Sequence, residues 1–267
     1  MSHLDEPLRG GTGLDGSGAG IRAARRVIDL NADLGESFGP YRYGNDEELM
    51  PLITSANVAC GFHAGDPHTM RLTVDLAHRH GVRIGAHMGL PDRLGFGRRT
   101  MEITGQEAYD YSLFQIAALG GFLRRDGIRM HHVKPHGALY MMASADAELA
   151  DGIARAVADY DMGLLLYALP GSELALAGAR RGLQVVEEFF ADRPYVGRDV
   201  VMFGWSYEQI GSPQSAVERM RAMLHDPSFS SVGTVCVHSD TVDAPAIMAA
   251  LRTSLENDPG IALNDGS

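Results

Sequence analysis

Four polar clusters, IDLNADLGES, SANVACGFHAGDP, IGAHMGLPDR and GFGRR, succeed one another between residues 27 and 99, each closing a short apolar run. A run rich in Val, Ile and Ala that breaks into Gly with Asp, Asn or His and then enters an amphipathic stretch is the pattern of a parallel strand whose carboxyl end carries chemistry. The rhythm continues to the end of the chain, with strand-like runs at 27–34, 56–62, 82–87, 130–134, 163–169, 183–190 and 231–238. Helical signals lie between them, such as Asp66 as N-cap, Pro67 in the first turn and Gly81 as the stop. Because helices that join parallel strands make right-handed crossovers, this order predicts an α/β fold, a seven-stranded (β/α) barrel with its site at the strand carboxyl ends. An open doubly wound sheet is the alternative.

At 267 residues and 45% hydrophobic content the chain is long enough to bury one large core. The expected organisation is a Gly-rich leader at 1–26, too poor in large apolar groups to order itself, one barrel domain at 27–257 and a tail at 258–267. The stretch 191–214 fits neither strand nor helix and is expected to loop over the site. A net charge of −11 argues against nucleic acid or an anionic membrane as partner and for a small-molecule substrate. The two cysteines, Cys60 and Cys236, stand far apart in apolar runs, which suits packing roles and a reducing cytoplasm. No apolar run reaches the roughly 18 residues that span a bilayer, and no export signal is evident.

The strand ends collect Asp33 and Glu36, then Asn57, His63 and Asp66, then His87 and Asp92, then Lys134 and His136, with Glu187, Asp192 and Arg193 near the sixth strand and His238 and Asp240 after the seventh. In a closed barrel these groups share one face, and carboxylate, imidazole and ammonium together can transfer protons and polarise a carbonyl. Of eleven histidines, His63, His87, His136 and His238 occupy strand ends, and of His131 and His132 one must point away from the interior. Asp33, His63 and His87 could hold a divalent metal, although no HExxH or paired-cysteine motif is present and hydrogen-bonding roles remain open. Lys134 is the only lysine, aimed by Pro135 from a strand end, and suits a carboxylate or phosphate. Arg93, Arg98 and Arg99 could orient an anion or solvate a loop. Gly61 and Gly65 let the backbone turn around His63. Neither GxxxxGK[ST] nor GxGxxG occurs, so no independent nucleotide loop is recognisable.

Taken together, IDLNADLGESFG, ANVACGFHAGDP, IGAHMGLPDRLGFGRR, HVKPHGALY, EEFFADRPY and VCVHSD resemble the LamB/YcsF family. The resemblance implies a barrel related to glycoside hydrolases and deacetylases, and the role of the A component in a 5-oxoprolinase that works with separate B and C subunits. That assembly opens the lactam 5-oxoproline to glutamate with ATP as co-substrate, magnesium arriving with ATP being one divalent metal it would bring. It further implies Asp33, His63, His87, Lys134 and His238 as catalytic groups, with Asp33 as base, His63 and His87 as polarising donors and Lys134 as anion holder. Glu36, Asn57, Asp66, His136, Asp192, Arg193 and Asp240 would bind substrate. The chain departs from the family's usual run at 88–90, 201–206 and Ser239, which keeps a related lactam in view as substrate. Two other readings stay open, a metal-dependent amide hydrolase or deacetylase that uses no ATP and a non-catalytic binding subunit.

Overall fold

The computed structural model describes residues 25–264. Seven parallel strands close a barrel: β1 (Arg26–Leu34), β2 (Ser55–Ala59), β3 (Arg83–Met88), β4 (His132–Pro135), β5 (Leu165–Ala168), β6 (Gln184–Phe190) and, beyond a hairpin of β7 (Tyr195–Val196) and β8 (Asp199–Val200), β9 (Val232–Cys236). Closure comes from β9 pairing with β6 on one side and β1 on the other. The segment after 257, expected as a tail, instead carries β10 (Ile261–Leu263), which pairs in parallel with the start of β1. Arg26 anchors that corner by donating to the carbonyls of Phe229 at 2.5 Å and Val232 at 2.8 Å. The leader expectation otherwise lies outside the described residues.

Helices α1 (Asp46–Leu49), α2 (Pro67–His80), α3 (Gly105–Arg125), α4 (Gly137–Ala145), α5 (Ala147–Tyr160), α6 (Glu173–Arg180), α7 (Tyr207–Ile210), α8 (Pro213–His225) and α9 (Ala244–Glu256) complete the chain. Their ends follow local chemistry. The Asp66 carboxylate accepts from the Thr69 amide at 2.8 Å, Pro67 opens α2, and Gly81 at φ 68° ends it, as the sequence predicts. A capping box of Thr104 and Glu107 starts α3. No helix among the described residues is long and apolar enough to cross a membrane.

Strand alternation sorts β1 into two faces. Ile28, Leu30, Ala32 and Leu34 are fully buried in the apolar core, each large side chain contributing about 1.5–3 kcal/mol. Asp29, Asn31 and Asp33 point the other way, and their bonds cross the lumen. Asp29 accepts from Thr54, Ser55, Arg83, Tyr167 and Thr234, and Asn31 donates to Glu188 and Thr234. The lumen is thus a hydrogen-bonded polar core. His132 fills it opposite Gly85, where any Cβ would fall 2.3 Å from the imidazole, so only glycine fits.

Candidate active site

Register brings the strand-end groups together. Asp33 pairs with Asn57, Ala59 with His87, His87 with Lys134, and Cys236 with both Asn31 and Phe190. Asp33 is the hub. Its Oδ1 accepts from Asn57 at 2.8 Å and Lys134 Nζ at 3.1 Å, while its Oδ2 lies 3.4 Å from His87 Nε2 and 3.8 Å from His238 Nε2. Burial alone would raise its pKa, but the charges and hydrogen bonds of His87 and Lys134 outweigh it and hold Asp33 ionised, well below the usual carboxylate range.

Lys134 is the counter-ion of a buried pair of carboxylates. Its Nζ reaches Glu188 Oε1 at 2.9 Å as well as Asp33 and the Cys236 sulfur at 3.1 Å. Against burial, Asp33 and Glu188 keep it firmly protonated. Being 2% exposed and fully engaged, it is a fixed cation beneath the site and has no free donor for a substrate anion. The Cys236 thiol is pushed well up by burial, and that of Cys60 to about 12, so neither is a thiolate.

On one side of Asp33 stands His238. Its Nδ1 is 3.1 Å from Asp192 Oδ2, and its ring stacks on Phe190. Asp192 is held by the His238 amide, by Thr241 and by Arg193, whose guanidinium lies 4.7 Å from the Trp205 ring. Arg193 and Asp192, expected to bind substrate, therefore form the frame that orients His238. Burial notwithstanding, Arg193 and His238 hold Asp192 ionised. The 191–214 stretch packs here through Trp205 and the β7–β8 hairpin rather than as a bare loop.

The other side holds Glu36, His63, His87 and His136, all buried. The His63 and His136 rings stack at 3.7 Å, Glu36 Oε1 lies 3.2 Å from His63 Nε2, and His87 Nε2 lies 3.0 Å from His136 Nδ1. His63 Nδ1 has no hydrogen-bond partner among the described residues. Burial pushes both stacked imidazoles well below their ordinary range and, aided by Asp33 and Asp240, pushes Glu36 well above the carboxylate range. Gly65 supports the turn, as expected: at φ 74°, its Cβ position would lie 2.7 Å from the Gly35 carbonyl.

Other groups take supporting places. Asp66 does not join the cluster, because its two oxygens cap α2 and hold the Gly39 amide at 2.8 Å. Asp240 sits at the rim, accepting from Arg98 at 2.7 Å and the Tyr43 hydroxyl at 2.8 Å. Arg93 ties down the Gly61 and Gly65 carbonyls, and Arg99 binds Asp92. A cavity of about 510 Å³, lined in part by Tyr43, Asn45, Asp46 and His68, opens beside the rim. Glu188, Asn31 and Tyr140 were not among the expected groups. A bulge between Glu187 and Glu188 turns the second glutamate inward, where Tyr140 donates to it at 3.0 Å, and leaves Glu187 nearer the surface. The polar alternation of VIDLNADL was the available signal for Asn31. Of the histidine pair, His132 is the inward one, its Nε2 lying 2.7 Å from Asn57 Oδ1.

Residues 28–264 match the LamB/YcsF family model. The chain is 49% identical to the A subunit of 5-oxoprolinase from Bacillus subtilis over 86% of its own length and 93% of that protein. It is 46% identical to the A subunit of 5-oxoprolinase from Tolumonas auensis, covering 85% and 95% of the two chains. A crystal structure of the lactam utilization protein from Thermus thermophilus superimposes with a TM-score of 0.80 at 40% identity, covering 88% of this chain and 98% of that one.

Proposed function

The chain belongs to the LamB/YcsF family, and from that premise we propose that it is the lactam-opening subunit of an ATP-dependent 5-oxoprolinase, acting on 5-oxoproline with separate B and C partner subunits. The observation that carries this reading is the 46–49% identity to 5-oxoprolinase A subunits over nearly their whole length. Chemistry supplies the need for ATP. A five-membered lactam recloses with high effective molarity, so its opening must be coupled to a second reaction. Transfer of the terminal phosphoryl group of ATP to the ring carbonyl oxygen makes the carbon attackable. One water adds and the ring C–N bond breaks, and a second water releases phosphate, giving glutamate, ADP and phosphate.

In this reading His238 is the proton carrier. With Nδ1–H donated to Asp192, its Nε2 is left bare and turned toward Asp33, the geometry of an imidazole base oriented by a carboxylate. Asp33, expected as the base, is a weak one because its proton affinity is depressed. Its role is to fix a negative charge beside His87 and His238 and stabilise the imidazolium that forms. Lys134 balances that charge from below.

The test is release of glutamate from 5-oxoproline and ATP by the chain assembled with its partners. We expect wild-type turnover, and for His238→Gln a fall in kcat of about 10²-fold or more with KM little changed, since the group lost acts on the reacting bond. An intact wild-type assembly that releases no glutamate would overturn the reading, and a His238→Gln variant at full rate would remove His238 from it.

A further inference from the structure

We propose that Glu36, His63, His87 and His136 form a binding site for one divalent cation of the zinc class. The outer nitrogens of two of these rings are committed to carbonyls, which only accept. His87 Nδ1 lies 3.0 Å from the Lys134 carbonyl, and His136 Nε2 lies 2.8 Å from the Phe96 carbonyl. A neutral ring that donates on its outer side has only a lone pair on its inner side. Yet His87 Nε2 and His136 Nδ1 face each other at 3.0 Å. Two lone pairs at that distance repel, so a positive centre belongs between them, either a proton that makes one ring cationic or a metal ion.

Glu36 faces the same point, and His63, stacked face to face on His136, brings a ring nitrogen to it once its ring turns out of the stack. Glu36 Oε1 is 3.2 Å from His63 Nε2 and 3.6 Å from His136 Nδ1, and one donor atom from each of the four residues lies within 4.8 Å of all the others. Ligands at about 2.0–2.1 Å from a tetrahedral zinc ion stand about 3.3 Å from one another, and the measured separations of 3.0, 3.2 and 3.6 Å straddle that value. Among the described residues no Lys or Arg forms a salt bridge with Glu36, whose ion-pair partners are the imidazoles of His63 and His136. Three imidazoles and one carboxylate suit zinc, whereas magnesium and calcium favour all-oxygen sets.

The surroundings are built for ligands rather than for loose side chains. Metal-bound histidines hand their outer N–H to a carbonyl or carboxylate that fixes the tautomer, which is what the Lys134 and Phe96 carbonyls do. Phe96 holds the left-handed backbone at φ 55°, uncommon for a bulky residue, and its carbonyl is the one aimed at His136. Its ring meets the rings of His63 and His136 at right angles. A cation here would border Asp33 and supply Lewis acidity to a substrate oxygen. The inference deepens the proposed reaction but does not depend on its substrate, because it is read out as bound metal rather than as turnover.

The full chain, stripped with chelator and dialysed, is titrated with zinc and separately with cobalt. One tightly held equivalent per chain, with the visible absorption of four-coordinate cobalt, is the expected result. His87→Gln and His136→Gln should each weaken binding by at least tenfold. Cys236→Ser should leave it unchanged, which separates this site from the second grouping of Asp33, Cys236 and His238. Circular dichroism of each variant checks folding, and the wild-type titration stands even where a variant fails to fold. Failure of the wild type to retain either metal would overturn the proposal and leave a proton shared between His87 and His136. Loss of binding in Cys236→Ser with retention in His136→Gln would overturn it as well.

Discussion

Asp33→Asn is expected to lower kcat for 5-oxoproline opening by roughly 10³-fold while the assembly with its partners survives. The carboxylate touches four groups that would otherwise be unrelated: Asn57 and Lys134 through one oxygen, His87 and His238 through the other. An amide keeps the shape but removes the charge. It also presents a donor either to Lys134 and Asn57, which themselves donate, or to the two imidazoles. His238 then loses the anion that would stabilise its protonated form, and no change of pH restores it, because an amide does not titrate. Steady-state kinetics with KM measured alongside kcat checks this. A variant within tenfold of wild type would remove Asp33 from the chemistry. It would favour a binding role for this chain, with the reaction carried by its partners.

Lys134→Met should cost about 3–5 kcal/mol of folding stability, the penalty for breaking a buried ion pair from one side. The methionine fills the space of the alkyl chain, so the loss is electrostatic: Asp33 and Glu188, 2% and 0% exposed, are left without their cation. At this chain length such a loss lowers Tm by on the order of 10 °C. Adding Glu188→Gln removes one of the two stranded charges, so the double variant should regain part of the stability. Denaturant titration of wild type, single and double variants closes the cycle. A single variant that loses under about 1 kcal/mol would mean that the lumen is not held by this charge.

The barrel was legible because its strands repeat one grammar, apolar run then polar break, and all seven runs stand as strands within a few residues. The convergence of Asp33, His63, His87, Lys134, His136 and His238 followed from that rhythm alone, since a closed parallel barrel gives its carboxyl ends one face. Roles were less legible. Asp66 and Asp33 are both carboxylates after an apolar run, but Pro67 makes the first a helix cap and register makes the second a hub. Arg193 and Asp192 carry over as substrate-binding residues from the resemblance alone, and their framing role shows only when Thr241 and the His238 amide arrive from 46 or more residues away. Glu188 was hidden by a bulge, which shifts the period-two alternation by one residue. Position within a strand fixes which face a residue serves, whereas its partner comes from another strand.

The catalytic roles of Asp33 and His238 depend on a lactam binding at the Asp33 face of this chain. Nitrogen-15 NMR of the histidine-labelled protein, titrated with 5-oxoproline, tests this most directly. The imidazole signals of His87 and His238 should move, while those of His78 and His131, which line a cavity elsewhere in the molecule, stay in place. Signals at His78 and His131 that move while His87 and His238 remain still would contradict it.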